Sequence, residues 1–231
     1  MKSVLRLLFG VVCAFLIALV TIWICTLTLR SHDDLYDGRP FEYWQAHLSS
    51  PEEMASSRAS NVVSTVVIPQ LCRQMFSDTN DSNFRMAVID QLNNLPGVHV
   101  TYVPADGRRV GAVNALGALG TNANAAIPEL LQALKSKDDL LCGPVAAALV
   151  KIGADAGRVL PTLIECMTDE KGHGRPEVVE ALGEYRQMAK SAVPLLVKLL
   201  ADKSSKEIMV AVPQALKKID PEAATAASPV K

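Results

Sequence analysis

The side chains best suited to metal binding or nucleophilic attack in this chain are four histidines and five cysteines, and their spacing favours neither chemistry. His32, His47, His99 and His173 are scattered, and none stands with an acid or a nucleophile on a shared helix face. Cys13 and Cys25 lie in an apolar N-terminal run and Cys72, Cys142 and Cys166 in the remainder, with no CxxC or His–Cys grouping of the kind zinc requires. The densest metal-like cluster, Asp169-Glu170-Lys171-Gly172-His173, is a glycine-bearing turn whose composition needs no metal to explain it. There is no phosphate-binding loop and no GxSxG elbow. The sequence therefore predicts a chain that is not an enzyme, with no catalytic residue, no metal and no cofactor.

What it offers instead is surface, and the surface is set by a repeat. VNALGALG at Val113–Gly120 recurs as ALVKIG at Ala148–Gly153, EALGEY at Glu180–Tyr185 and QALKKI at Gln214–Ile219, which places Leu116, Leu149, Leu182 and Leu216 in register 33, 33 and 34 residues apart. Pro128, Pro161 and Pro194 open the segments between, again at intervals of 33. Such an array stacks helical hairpins so that each covers its neighbour's apolar face. The cysteines fit that stack: Cys72 holds the position of Leu131, Ile164 and Val197, and a free thiol commonly behaves as a small buried apolar group.

Two sets of residues are candidates for a partner surface. The inner helices of the array present Arg73, Gln132, Glu165 and Lys198, each four residues after a helix-opening proline and left free by packing. These alternate in sign and form no basic stripe, which predicts no nucleic-acid binding. Composition agrees, because the chain beyond residue 30 has 20 basic and 24 acidic residues. The second set lies in an irregularity. After an outer helix at Phe84–Leu95 the expected inner helix is replaced by Pro96–Gly107, where Val98 to Val103 alternates with a period of two and prefers an extended conformation. Val98, Val100 and Tyr102 then face the gap, and His99 and Thr101 face outward beside Asp106, Arg108 and Arg109. A loop on a rigid array is a usual place for recognition, but a missing helix must be covered whatever the protein does, so sealing the gap is the reading that comes first.

Leu7 to Leu29 is an apolar run of 23 residues that would reach roughly 35 Å as a helix, enough to span a bilayer. No small-x-small site follows it, which favours an uncleaved signal anchor over a removable signal peptide. Lys2 and Arg6 precede the run, so residues 1–6 are expected in the cytoplasm and the repeats outside it, giving a single-pass inner-membrane protein. Residues 30–50 form a juxtamembrane linker and cap, in which Phe41 and Trp44 are expected to cover the end of the first repeat. A helix is expected over Pro51–Val63 and an inner helix from Pro69. Pro213 should bend or shorten Lys206–Ile219, and residues 221–231 are expected to be a flexible tail.

The repeated ALG of the outer helix, the A-x-x-A-x-P link and the P-x-L-L-x-x-L inner helix resemble the HEAT repeat, in the short form found in bacterial HEAT-like proteins and phycobilin lyases. GRPFEYW and LNNLPGVHVTYVPADGRR, together with the array, further resemble membrane-anchored HEAT-repeat proteins of Verrucomicrobia-type bacteria. The resemblance implies an all-α solenoid over 51–220 behind one transmembrane helix, and a protein–protein interaction scaffold with a protein partner. Its phycobilin-lyase side implies an alternative role in handling a cofactor or pigment. It transfers no catalytic residue.

Overall fold

The computed structural model describes residues 35–77, 83–94, 102–136, 138–168, 176–202 and 206–227. Its regular elements are all helices, and the one isolated β-bridge pairs Tyr36 with Arg39. The array is clearest in its second half. Helix α5 (Ala105–Ala118) leads through a 3₁₀ stretch (Gly120–Ala126) into α6 (Ile127–Lys135), α7 (Cys142–Ile152) is followed by α8 (Ala156–Thr168), and α9 (Pro176–Glu184) leads through a second 3₁₀ stretch (Arg186–Ala192) into α10 (Val193–Asp202). Then come α11 (Lys206–Ile219) and α12 (Pro221–Ala227). The outer helices α5, α7, α9 and α11 stack side by side in that order.

The register read from the sequence is the register of burial. Leu116, Leu149, Leu182 and Leu216 are all fully buried, with Ala148 and Ala181 buried beside them and Ala115 half-covered. Equivalent burial in successive hairpins is why the pattern repeats at one interval. The glycine of ALG has a separate function. A methyl group at Gly117 would lie 3.2 Å from the Cα of Ala148, and one at Gly183 would lie 3.1 Å from the Cα of Ala215. Backbones that close leave no room for a side chain, so glycine sets the spacing between α5 and α7 and between α9 and α11. The aliphatic stems of Lys151 and Lys218 lie across these two glycines and carry their ammonium groups outward.

On α11 the corresponding positions read differently. Lys217 stands where Gly183 stands one repeat earlier, and Pro213 where Val179 does; both are exposed. They lie on a face of α11 left open to solvent among the described residues. Pro213 does not shorten α11, which runs from Lys206 to Ile219 without interruption. The carbonyl this proline leaves without a helical donor belongs to Met209, itself exposed, so water can satisfy it. The expected flexible tail contains a helix: Asp220 accepts from the backbone N–H groups of Glu222 and Ala223, capping α12. Similarly α8 begins at Ala156 rather than at Pro161, after Gly153 ends α7 in the left-handed conformation at φ 77°.

The N-terminal end departs most from the expected pattern. Asp37 and Gly38, at φ 51° and 75°, make the tight turn of a hairpin closed by two backbone hydrogen bonds between Tyr36 and Arg39. Helix α1 (Phe41–Leu48) follows, and its Trp44 is buried, with the indole N–H donating to the Tyr36 carbonyl. Tyr36 is buried too and Phe41 packs on the same cluster, so these rings close the end of the core. The helix expected over Pro51–Val63 and the inner helix expected from Pro69 are instead one continuous rod. In it α2 (Glu53–Val62) passes through a π-helical turn (Val63–Val67) into α3 (Ile68–Ser77) with every junction residue right-handed. The difference is one of backbone conformation rather than residue type, since Arg186 turns left-handed at the equivalent position without being glycine. Asn61 occupies the place of Gly120 and Gly153, and no left-handed residue breaks the chain there. The wider π turn admits Pro69, and the hydroxyls of Ser64 and Thr65 donate to the Asn61 carbonyl at 3.0 and 2.7 Å.

Helix α4 (Asn83–Asn93) overlaps the outer helix expected at Phe84–Leu95, starting one residue earlier and ending two earlier. The apolar run Leu7–Leu29 lies outside the described residues. Among those described, no helix is long and apolar enough to cross a membrane.

Candidate interaction surface

The irregular segment expected at Pro96–Gly107 ends earlier than its sequence pattern suggests. Its residues up to Thr101, His99 among them, lie outside the described residues. Tyr102, Val103 and Pro104 are irregular, and α5 has already begun at Ala105. Asp106, Arg108 and Arg109 therefore belong to the first turns of a helix rather than to a loop, and the helix gives the three of them different surroundings.

Arg109 is a correction to the sequence reading, because it is buried at 9% exposure and does not face outward. Its Nε donates to the Met75 carbonyl at 3.0 Å, in the last turn of α3, and a terminal guanidinium nitrogen donates to the Asp138 carboxylate beyond α6. One side chain thus caps a helix end of the preceding unit and anchors the turn into the following one. Asp138 uses its other oxygen to accept from the Leu140 N–H at 3.0 Å, holding the turn that starts α7. Exposed Asp106 approaches Arg109 only to 4.0 Å and adds little.

Arg108 is also engaged. Its guanidinium lies over the Tyr102 ring at 5.3 Å and donates to the Tyr102 hydroxyl at 2.9 Å and to the Val103 carbonyl at 2.6 Å. It ties the end of the irregular segment down onto α5. Of this set, the side chain that stays open to solvent is Asp106.

On the inner helices, Arg73, Gln132, Glu165 and Lys198 are exposed as expected, on α3, α6, α8 and α10 respectively. They hold equivalent places in the common register and are mixed in charge, Gln132 being neutral. Arg73 reaches back to the Pro69 carbonyl at 3.4 Å, and the half-exposed Phe76 and Val197 share these helices.

The groups suited to chemistry are placed for packing. Cys72, Cys142 and Cys166 are buried thiols, none of them in a disulfide. Burial, with Glu129 adding to it, pushes the Cys72 thiol up to about 11, so it stays protonated and unreactive near neutrality. Cys166 donates to the Leu134 carbonyl. His47 stacks on Tyr43 at 4.0 Å between ring centres, with Nδ1 2.7 Å from the Tyr43 carbonyl. Among the described residues no three His, Cys, Asp or Glu side chains converge to hold a metal, and Asp169–His173 lie outside them.

One polar group passed unnoticed in the sequence. Tyr185 fills the buried position held elsewhere by Leu119 and Ile152, and its hydroxyl is enclosed without a hydrogen-bond partner. Burial, reinforced by the nearby Asp155 charge, raises its phenol to about 12. The signal was the substitution of tyrosine for an aliphatic residue in register.

Residues 108–136, the stretch from Arg108 through α6, match the PBS lyase HEAT-like repeat. No curated protein and no solved structure matches the chain. The match covers a single hairpin, in which Leu116 and Pro128 carry the register. The other hairpins follow from it by the interval and by the burial of their equivalent leucines. This is a helical repeat protein containing a HEAT-like unit.

Proposed function

We propose that this chain is a non-catalytic interaction scaffold, held at the bacterial cytoplasmic membrane by Leu7–Leu29 and presenting its repeats outside the cytoplasm to a protein partner. The observation that carries the reading is the stack itself. Its core is given to hairpin-to-hairpin packing, and Arg109, Asp138 and the three described cysteines serve caps, turns and burial. The inner-helix row Arg73, Gln132, Glu165 and Lys198 supplies a mixed polar face of the kind protein partners use. The membrane part rests on the length of the apolar run and on Lys2 and Arg6 before it.

Crosslinking in native membranes followed by capture of the chain tests the scaffold: a discrete protein partner is expected, lost on charge reversal of Glu165 and Lys198. A reporter fused after Lys231 should be active only outside the cytoplasm, and the mature protein should retain Met1–Arg30. Cytoplasmic reporter activity would reverse the orientation.

The name of the matched repeat favours a second reading, in which the array handles a pigment or another cofactor. Such a ligand needs an apolar enclosure. The depression on α2 is open and lined by Glu53, Met54, Ser57, Arg58 and Asn61. An absorbance band of the purified chain in the visible range would establish this reading in place of the scaffold.

A further inference from the structure

Helix α2 carries an apolar side chain that its own packing does not use. Ala59 and Val62 lie on the buried face, whereas Met54, Arg58 and Asn61, at i, i+4 and i+7, lie on the face open to solvent. Met54 is 87% exposed, more than any other large apolar side chain among the described residues. Together with Glu53, Ser57, Arg58 and Asn61 it lines the open depression on this helix.

The same face lies where the chain enters the fold. Arg58 approaches the Asp37 carboxylate at 3.6 Å, in the tight turn that Tyr36 and Arg39 close. Leu35 stands two residues before Asp37 and is 55% exposed, although the next residue, Tyr36, is buried. An ion pair this exposed contributes little energy. What it shows is position: the entry of the chain lies beside the depression, so Leu35 and Met54 belong to one end of the array.

The chain that precedes this entry decides what can cover it. The apolar run ends at Leu29, six residues before Leu35, and six residues fully extended reach roughly 20 Å. With the run spanning the bilayer, as proposed above, this end of the array stays at the membrane surface, where the headgroup layer is about 5–7 Å deep on each side. A tether so short keeps both apolar side chains within constant reach of lipid, and a weak contact is then populated. Charge does not select an anionic surface. Arg39 and Arg58 are balanced at this end by Asp37, Glu52 and Glu53, whereas attachment to anionic lipid uses clusters of about four to eight basic residues. The attraction is therefore apolar.

We infer that this end of the array, Leu35 with the Met54 face of α2, docks on the lipid surface and sets how the repeats stand on the membrane. Leu35 and Met54 enter the boundary between headgroups and acyl chains, while the charges around them stay hydrated at headgroup depth. Trp44 and Tyr36 are buried in the array and take no part. The inference rests on the membrane reading and adds to it a contact that the span alone does not supply.

The test places the full chain in phosphatidylcholine nanodiscs, with the photocrosslinking residue p-benzoylphenylalanine at one position at a time, and reads lipid adducts by mass spectrometry. Met54→p-benzoylphenylalanine and Ser57→p-benzoylphenylalanine are expected to give lipid adducts. Val210→p-benzoylphenylalanine, on the last outer helix and also exposed, should give none above background. Leu35→Ser with Met54→Ser should then remove most of the adduct formed at Ser57 and leave the melting temperature unchanged, since both side chains are exposed. The inference is overturned if Met54 and Ser57 give no more adduct than Val210. It is overturned equally if the adduct at Ser57 survives the double serine variant, because the tether alone would then bring the face to lipid. Crosslinks from Met54 to a second copy of the chain, in place of lipid, overturn it too. A chain that stays out of the nanodiscs altogether removes the membrane reading and this inference with it; a chain that inserts without adducts at Met54 removes the docking alone.

Discussion

Replacing Arg109 by alanine separates a structural arginine from a recognition arginine. In the folded chain the guanidinium satisfies the Met75 carbonyl and the Asp138 carboxylate, with 11% of the arginine side chain and 28% of the aspartate side chain exposed. Removal leaves a helix-end carbonyl and a partly buried carboxylate without their donor. Breaking a fully buried pair costs about 3–5 kcal/mol, and the access of Asp138 to water reduces this to about 2–4 kcal/mol here. For a chain of this size each kcal/mol moves the midpoint by about 2–4 °C, so thermal melts followed by circular dichroism should fall by about 5–15 °C. Asp138→Asn should cost less, about 1–2 kcal/mol, because an amide oxygen can still accept from the Leu140 N–H. The double mutant should lose less than the sum of the two, as expected for side chains in direct contact. A melt of Arg109→Ala indistinguishable from wild type would refute the reasoning. Loss of partner capture with an unchanged melt would return Arg109 to the binding surface.

Leu149→Asp places an unpaired carboxylate in the middle of the stack, where Leu149 is fully buried; a loss of several kcal/mol in urea unfolding is expected, and wild-type stability would show the repeat register to be wrong. Gly183→Val drives a side chain into the Ala215 backbone 3.1 Å away, so α9 and α11 must separate at a cost of about 1–3 kcal/mol, checked by the same melts. Tyr185→Phe removes an enclosed hydroxyl that has no partner, and at pH 7 it should be as stable as wild type or more so, by up to about 1 kcal/mol. The folded chain holds this phenol up to about 12 against 10.0 for the free group. The unfolded state therefore releases its proton first, and wild type should lose stability between about pH 10 and 12 where the phenylalanine variant does not. Pulse labelling of the native chain with a thiol reagent at neutral pH should leave Cys72 unmodified, because burial holds its thiol up at about 11.

The sequence by itself determined the parts of this protein that repeat. An interval of 33 residues can persist only if each leucine meets the same surroundings, so the burial of Leu116, Leu149, Leu182 and Leu216 was legible before any coordinate. The inner-helix row of Arg73, Gln132, Glu165 and Lys198 followed from the same periodicity. What the interval could not convey is which contacts cross between units. Arg109 read as a free cation beside a loop because its partners, Met75 and Asp138, are 34 and 29 residues away, and only stacking brings them together. The continuous rod over α2 and α3 was likewise a decision of backbone geometry. Where Gly120 and Gly153 let the chain turn left-handed, Asn61 stays helical, and no residue breaks the rod into a hairpin. Arg186 shows the opposite case, since tertiary packing imposes on it the turn that its neighbours achieve with glycine. Periodic burial is a one-dimensional signal and survives in the sequence; capping across units and imposed backbone conformation depend on neighbours distant in the chain, and the tertiary structure alone decides them.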